Sequence, residues 1–129
     1  MKEKALIARC RPHFLERGVE YENLAGSKYQ AGLPDWTCIT RDGIGFWVEF
    51  KAAARWNISV FRGRQRLVLL RWATRGFPVF VVGPGWVLDL TEFCKGDGTD
   101  MNRGWYACAN PKESVTQILA LLYARHSTS

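Results

Sequence analysis

The seven residues Gly45–Lys51, GFWVEFK, constrain this chain more than any other stretch. Successive strand side chains point to opposite faces, so residues two apart share a face about 6.6 Å from one another. Phe46, Val48 and Phe50 then form one wholly apolar face that must be buried. Gly45, Trp47, Glu49 and Lys51 form the other, which ends in an acid and an ammonium. Ahead of this stretch, Arg41-Asp42-Gly43 has the composition of a tight turn, and Pro34–Thr40 reads as a strand. Ile44–Ala52 reads as its antiparallel partner. A reversal centred on Asp42 pairs positions whose numbers sum to about 84–86. Neighbouring strands lie about 4.8 Å apart. Asp35 is therefore expected beside Glu49 and Lys51.

The remaining elements arrange themselves around this hairpin. Residues 3–17 read as a helix with Glu3, Leu6, Ile7, Cys10 and Phe14 on one face and Gly18 as its C-cap. Pro12 falls inside that helix and is expected to kink or split it. A short extended piece follows at Val19–Leu24, then a polar, glycine-bearing loop at Ala25–Leu33. Ala53–Gly63 reads as a loop, Gln65–Arg75 as a helix closed by Gly76, and Phe77–Val82 as a central strand. Gly83-Pro84-Gly85 breaks it. Short strands are predicted at Trp86–Leu88 and Trp105–Ala109, and a short helix at Leu90–Cys94. A last helix runs from Pro111 to about Arg125, with Asn110 as its N-cap.

The 129 residues suit a single domain, with a core at about 3–83 and C-terminal decoration at about 84–126. No run nears the roughly 18 apolar residues of a membrane span. The N-terminal MKEKALIARCRPHF is a poor secretory signal, so the expected location is cytoplasmic. Cys10, Cys38, Cys94 and Cys108 have no metal-type spacing, and neither do His13 and His126. The cysteines read as small apolar fillers. A formal charge of +6 and a pI near 9.4 favour a polyanionic partner, although ordinary solubility would also account for them.

Two carboxylates and a lysine make a small kit for phosphodiester hydrolysis. Mg²⁺ takes oxygen ligands, often only one or two carboxylates with several waters, and Mn²⁺ substitutes readily. A bound ion of this kind lowers the pKa of a water and offsets charge on phosphorus. An adjacent ammonium can orient that water or stabilise developing charge. The alternative is that Glu49 and Lys51 form a surface ion pair worth about 0–1 kcal/mol.

Pro34-Asp35, then Glu49-Phe50-Lys51, resembles the signature of the PD-(D/E)xK nuclease superfamily. Gly32-Leu33-Pro34-Asp35, Val48-Glu49-Phe50-Lys51 and Gln65 at the head of a helix look most like its VRR-NUC branch and the Holliday-junction resolvases of archaea and phages. The resemblance spans roughly residues 3–83. It implies a restriction-endonuclease-like α/β fold: an α-β-β-β-α-β core with a mixed four-stranded sheet and helices on both faces. It further implies metal held by Asp35, Glu49 and the Phe50 carbonyl, Lys51 as the catalytic lysine, and DNA cleavage leaving 5′-phosphate and 3′-hydroxyl ends. Junction cleavage implies a homodimer, and a small stand-alone nuclease of this kind is of a type encoded by phages.

Gln65 shares a helix face with Val68, Leu69, Trp72 and Gly76, so it is expected to point inward and to hold a metal-bound water or Lys51. The other reading is a solvated glutamine at a helix end. Glu3 begins the apolar stripe of the first helix and, by the same resemblance, is a candidate third acid, although a first-turn acid also suits the helix dipole. For DNA contact the candidates are Lys28, Tyr29, Arg55, Trp56, Arg62, Arg64 and Arg66, which mix cations and aromatics on segments beside the kit. Arg64, Arg71 and Arg75 form a helical stripe that also suits a solvated face. Trp47, Trp72, Trp86 and Trp105 read as core or sheet cover. The leading expectation is a Mg²⁺-dependent endonuclease for branched DNA. The rivals are a non-catalytic DNA-binding module of the same fold and a restriction or nicking endonuclease.

Overall fold

The computed structural model describes residues 1–25 and 32–127. Its elements run α1 (Glu3–Glu16), β1 (Glu20–Asn23), β2 (Trp36–Ile39), β3 (Gly45–Phe50), a 3₁₀ turn (Ile58–Val60), α2 (Gly63–Thr74), β4 (Val79–Gly83), β5 (Trp86–Asp89), α3 (Leu90–Phe93), β6 (Trp105–Ala107) and α4 (Pro111–Ser127). The strands form one mixed sheet in the order β1-β2-β3-β4-β5-β6. Only β3 and β4 run parallel, joined through α2, and the other neighbours are antiparallel.

Among the described residues the sheet thus has six strands and not four. The first four follow the expected helix and strand order. The extra two arise because Gly83-Pro84-Gly85 does not merely end β4 but reverses it, with Gly83 paired to Trp86. A Cβ built on Gly83 would lie 2.0 Å from the Trp86 ring, so only glycine lets the indole fold flat over the reversal. β6 then pairs onto β5 and completes the sheet.

Strand alternation sorts the core into two layers. Phe46, Val48 and Phe50 are fully buried with Trp36, Phe80 and Val82 against Leu6, Cys10 and Phe14 of α1 and Ile118 and Leu122 of α4. Each such large side chain contributes about 1.5–3 kcal/mol on leaving water. Trp47, Val79, Val81 and Leu88 face the opposite layer, with Leu69 of α2 and Leu90 and Phe93 of α3. Helices therefore cover both faces.

Pro12 does not split the helix: α1 continues through it. The carbonyl that loses its amide partner is that of Ala8, and Ala8 and Pro12 both lie on the exposed face, where water can replace the missing bond. The helix closes as the sequence indicates. Gly18, at φ 78°, donates to the Leu15 carbonyl, and Val19 donates to that of Phe14, a Schellman closure. Gly76 and Phe77 close α2 the same way onto Ala73 and Trp72. Asn110 Oδ1 accepts from the Glu113 amide at 2.9 Å and starts α4.

All four cysteines are free thiols, with Cys10, Cys38 and Cys108 buried. Burial pushes the Cys10 thiol up to about 12 and raises Cys38 as well, as suits apolar fillers. Among the described residues, no helix is long and apolar enough to cross a membrane.

Candidate active site

The β2–β3 register pairs Trp36 with Val48 and Thr37 with Trp47, a sum of 84. Carried one step further, it sets Asp35 opposite Glu49. The two residues lock together through each other's backbone. The Asp35 amide donates to Glu49 Oε1 at 2.9 Å, and the Phe50 amide donates to Asp35 Oδ2 at 2.9 Å. The carboxylates thus replace the ladder bonds that β2 would make had it continued.

Lys51 and Gln65 complete a hydrogen-bonded quartet. Lys51 Nζ donates to Gln65 Oε1 at 2.9 Å and stands 3.2 Å from Glu49 Oε2. Gln65 Nε2 donates to that same Glu49 oxygen at 2.9 Å. Gln65 therefore points inward from the first turns of α2. Glu49 is only 3 % exposed, and the Lys51 side chain 18 %. The surface ion-pair alternative is thereby excluded: this is a largely desolvated cluster on the α2 face at the end of β3.

Burial dominates its electrostatics. Desolvation, then the nearby Asp35 charge, pushes the Glu49 carboxyl up to about 7 against the opposing pull of Lys51. Desolvation also raises Asp35, opposed by the Phe50 amide and by Lys51. Two acids held side by side, both resisting ionisation, are a donor pair that a divalent cation would neutralise.

The backbone offers a third oxygen. Thr40 pairs with Ile44 through an amide–carbonyl hydrogen bond, so hydrogen-bonded positions recur at 38 with 46, 36 with 48 and, by extension, 34 with 50. Position 34 is proline, which has no amide to give the Phe50 carbonyl. Among the described residues no cluster of three or more His, Cys, Asp or Glu occurs. Asp35, Glu49 and the Phe50 carbonyl could hold a hard ion whose other ligands are waters, the donor set that suits Mg²⁺.

Other contacts that the sequence does not signal hold this pole together. Lys51 Nζ lies 5.8 Å from the centre of the buried Phe61 ring. Trp86 Nε1 donates to the Ala53 carbonyl at 3.0 Å, tying the segment after Lys51 to the β4–β5 reversal. Gly32, at φ 90°, packs so closely that an added Cβ would meet Arg64 Cγ and Val68 at 2.9 Å. The chain leading into Asp35 is thus seated directly on α2.

The remaining candidates divide. Glu3 is exposed in the first turn of α1 and takes no part in the quartet's hydrogen bonds. Leu6, Cys10 and Phe14 of the same stripe are buried, whereas Glu3 in the first turn is left in solvent. Arg55, Arg62, Arg64 and Arg66 are exposed, the last three at the start of α2. Trp56 is not available to a base: it is 5 % exposed and packed among Phe61, Trp86 and Phe93. Lys28 and Tyr29 lie outside the described residues. Trp47 and Trp86 are buried as expected, while Trp72 and Trp105 remain 40 % and 36 % exposed.

A Pro-Asp strand end faces Glu-x-Lys at the parallel crossover of a mixed sheet, as the resemblance to the PD-(D/E)xK nucleases implies. No family model matches the sequence, and no curated protein matches it. Among solved structures, a VRR_NUC domain aligns at a TM-score of 0.52 and 26% identity, over 63% of this chain and 83% of that one. The chain thus resembles a VRR_NUC domain in fold, in line with the resemblance that its Pro-Asp and Glu-x-Lys motifs carry.

Proposed function

We propose that this protein is a metal-dependent DNA endonuclease that hydrolyses phosphodiester bonds in branched or four-way junction DNA, leaving 5′-phosphate and 3′-hydroxyl ends. The observation that carries the reading is the quartet of Asp35, Glu49, Lys51 and Gln65, joined by contacts of 2.9–3.2 Å at one end of β3. The VRR_NUC likeness and the net charge of +6 support DNA as the substrate.

In this reading Asp35, Glu49 and the Phe50 carbonyl hold Mg²⁺, for which Mn²⁺ substitutes. The bound ion supplies an acidified water and charge neutralisation at phosphorus. Lys51 places its ammonium beside the attacking water and the scissile phosphate. Gln65 fixes Lys51 without adding charge, because its amide accepts from the ammonium and donates to Glu49. The exposed arginines 55, 62, 64 and 66 hold the flanking phosphates. Two symmetric cuts in a junction would require two copies of the site, hence a homodimer.

Cleavage of four-way, flap and linear duplex substrates in Mg²⁺ and in EDTA, at one stated salt concentration, tests the proposal. Asp35→Ala, Glu49→Ala and Lys51→Ala should each abolish Mg²⁺-supported cleavage while DNA binding persists. Wild-type protein that binds DNA yet cuts none of these substrates in Mg²⁺ or Mn²⁺ would make it a binding module instead.

A further inference from the structure

Trp72 is a large aromatic on α2 that remains 40 % exposed, although the sequence favours covering it. Its indole is already fixed from behind. Trp47 lies 4.4 Å from it, centre to centre, tilted by 34°, and Phe77 meets it edge-on at 5.3 Å. The open side lines a surface cavity of about 630 Å³ formed by Arg71, Trp72, Arg75, Gly76, Phe77 and Pro78. Arg71 and Arg75 are exposed, one helical turn apart, and α2 contains no acidic residue to offset them.

We infer that this cavity binds an unpaired nucleotide of the DNA strand, its base stacked on Trp72 and its adjoining phosphates held by Arg71 and Arg75. The inference rests on the DNA-processing reading above and names which form of DNA the surface selects. A planar partner suits an indole whose orientation is set by two other rings, because little freedom is left to lose on stacking. The paired arginines select a polyanion over a neutral apolar segment. A base in a duplex has both faces occupied by its neighbours, so the cavity discriminates in favour of unpaired DNA. The position is appropriate too. Trp72 lies seven residues beyond Gln65, two turns and about 10 Å along α2. Trp47 lies on the same face of β3 as Glu49, two residues away. A strand leaving the quartet along α2 would meet the cavity.

The test uses the full chain in EDTA, so that binding is read apart from cleavage. The probes are a fluorescein-labelled oligothymidine and a blunt duplex of equal length, followed by anisotropy across a salt series. Trp72→Ala should weaken oligothymidine binding about fivefold or more and leave the duplex unchanged. Trp72→Phe should retain most of the affinity. Arg71→Gln with Arg75→Gln, at exposed positions, should lower the salt slope for oligothymidine by about 1.4, the loss of two phosphate contacts. That pair decides the matter if Trp72→Ala does not fold. Equal losses on both probes, or none on either, would overturn the inference. So would a dimer that Trp72→Ala dissociates with DNA affinity unchanged, which would assign the cavity to a second copy of the chain. Failure of wild-type protein to cleave any substrate refutes the nuclease reading alone, because these binding outcomes do not depend on cleavage.

Discussion

Gln65 donates its Nε2–H to Glu49 Oε2 at 2.9 Å, across sixteen residues of chain. The same amide accepts from Lys51 Nζ, so one neutral side chain fixes the spacing of the acid and the ammonium. Gln65→Ala removes the partner that Lys51 Nζ and Glu49 Oε2 share and leaves the ammonium held by Glu49 alone. Metal-supported cleavage should fall about 10- to 100-fold, the usual penalty for losing an outer partner of a metal site. Gln65→Glu should fall further, because it sets a third carboxylate beside two that already resist ionisation. Initial rates under saturating Mg²⁺ check this. Unchanged rates in Gln65→Ala would show that Lys51 is positioned by other groups.

Lys51 itself separates binding from chemistry. Lys51→Met keeps the stem over Phe61 but removes the charge. The carboxylates stay in place through the Asp35 and Phe50 amides, so divalent-ion binding should persist or tighten. The cleavage rate should fall about 10²- to 10³-fold, as for removal of one stabilising donor. Isothermal titration with Mn²⁺ beside single-turnover rates would reveal the split. Loss of Mn²⁺ binding together with the rate would show instead that Lys51 organises the acids.

What the sequence makes legible here follows from local rules. Strand alternation sorts Phe46, Val48 and Phe50 from Trp47 and Glu49, and the turn at Asp42 fixes the register that brings Asp35 to Glu49. Gln65 is legible because helical spacing puts it on the same face as the buried Val68 and Leu69. The illegible parts depend on distant packing. Trp56 follows Arg55 in sequence, yet Phe61, Trp86 and Phe93 enclose it. Trp72 follows the core spacing of α2, yet the covering elements do not extend over it. The strands at Trp86 and Trp105 are legible, but their joining the sheet depends on the Gly83–Trp86 contact, where glycine acts through space and not through an unusual φ.

That contact gives a stability prediction. Gly83→Ala would place a methyl 2.0 Å from the Trp86 ring, and Trp86 is also tied to Ala53. Overpacking of this kind should destabilise the domain by about 3 kcal/mol, a fall in Tm of roughly 10 °C. Gly43→Ala is the control. Its φ is 85° but nothing lies within 4 Å of the added Cβ, so only left-handed strain of about 1 kcal/mol remains. Thermal melts of both variants at one pH test the contrast. Equal losses would mean that the β4–β5 reversal relaxes freely.

The buried acids set an unusual pH dependence. Glu49 rises from an ordinary value of 4.5 to about 7, chiefly through desolvation, and Asp35 is raised for the same reason. The folded chain therefore holds protons that the unfolded chain releases. In EDTA, stability should decline as pH rises from about 4.5 through about 7 and level off above, by up to about 3 kcal/mol from Glu49. Asp89, also raised by burial against the pull of Arg125, adds in the same direction. Glu49→Gln should flatten this slope whatever its effect on absolute stability. Mg²⁺ needs the ionised carboxylates, so it should raise Tm more at pH 8 than at pH 5. Melts across pH with EDTA and with Mg²⁺ read both effects. A wild-type Tm that climbs from pH 5 to 7 in EDTA, with an equal Mg²⁺ shift at both ends, would mean that Glu49 is ionised in the metal-free fold.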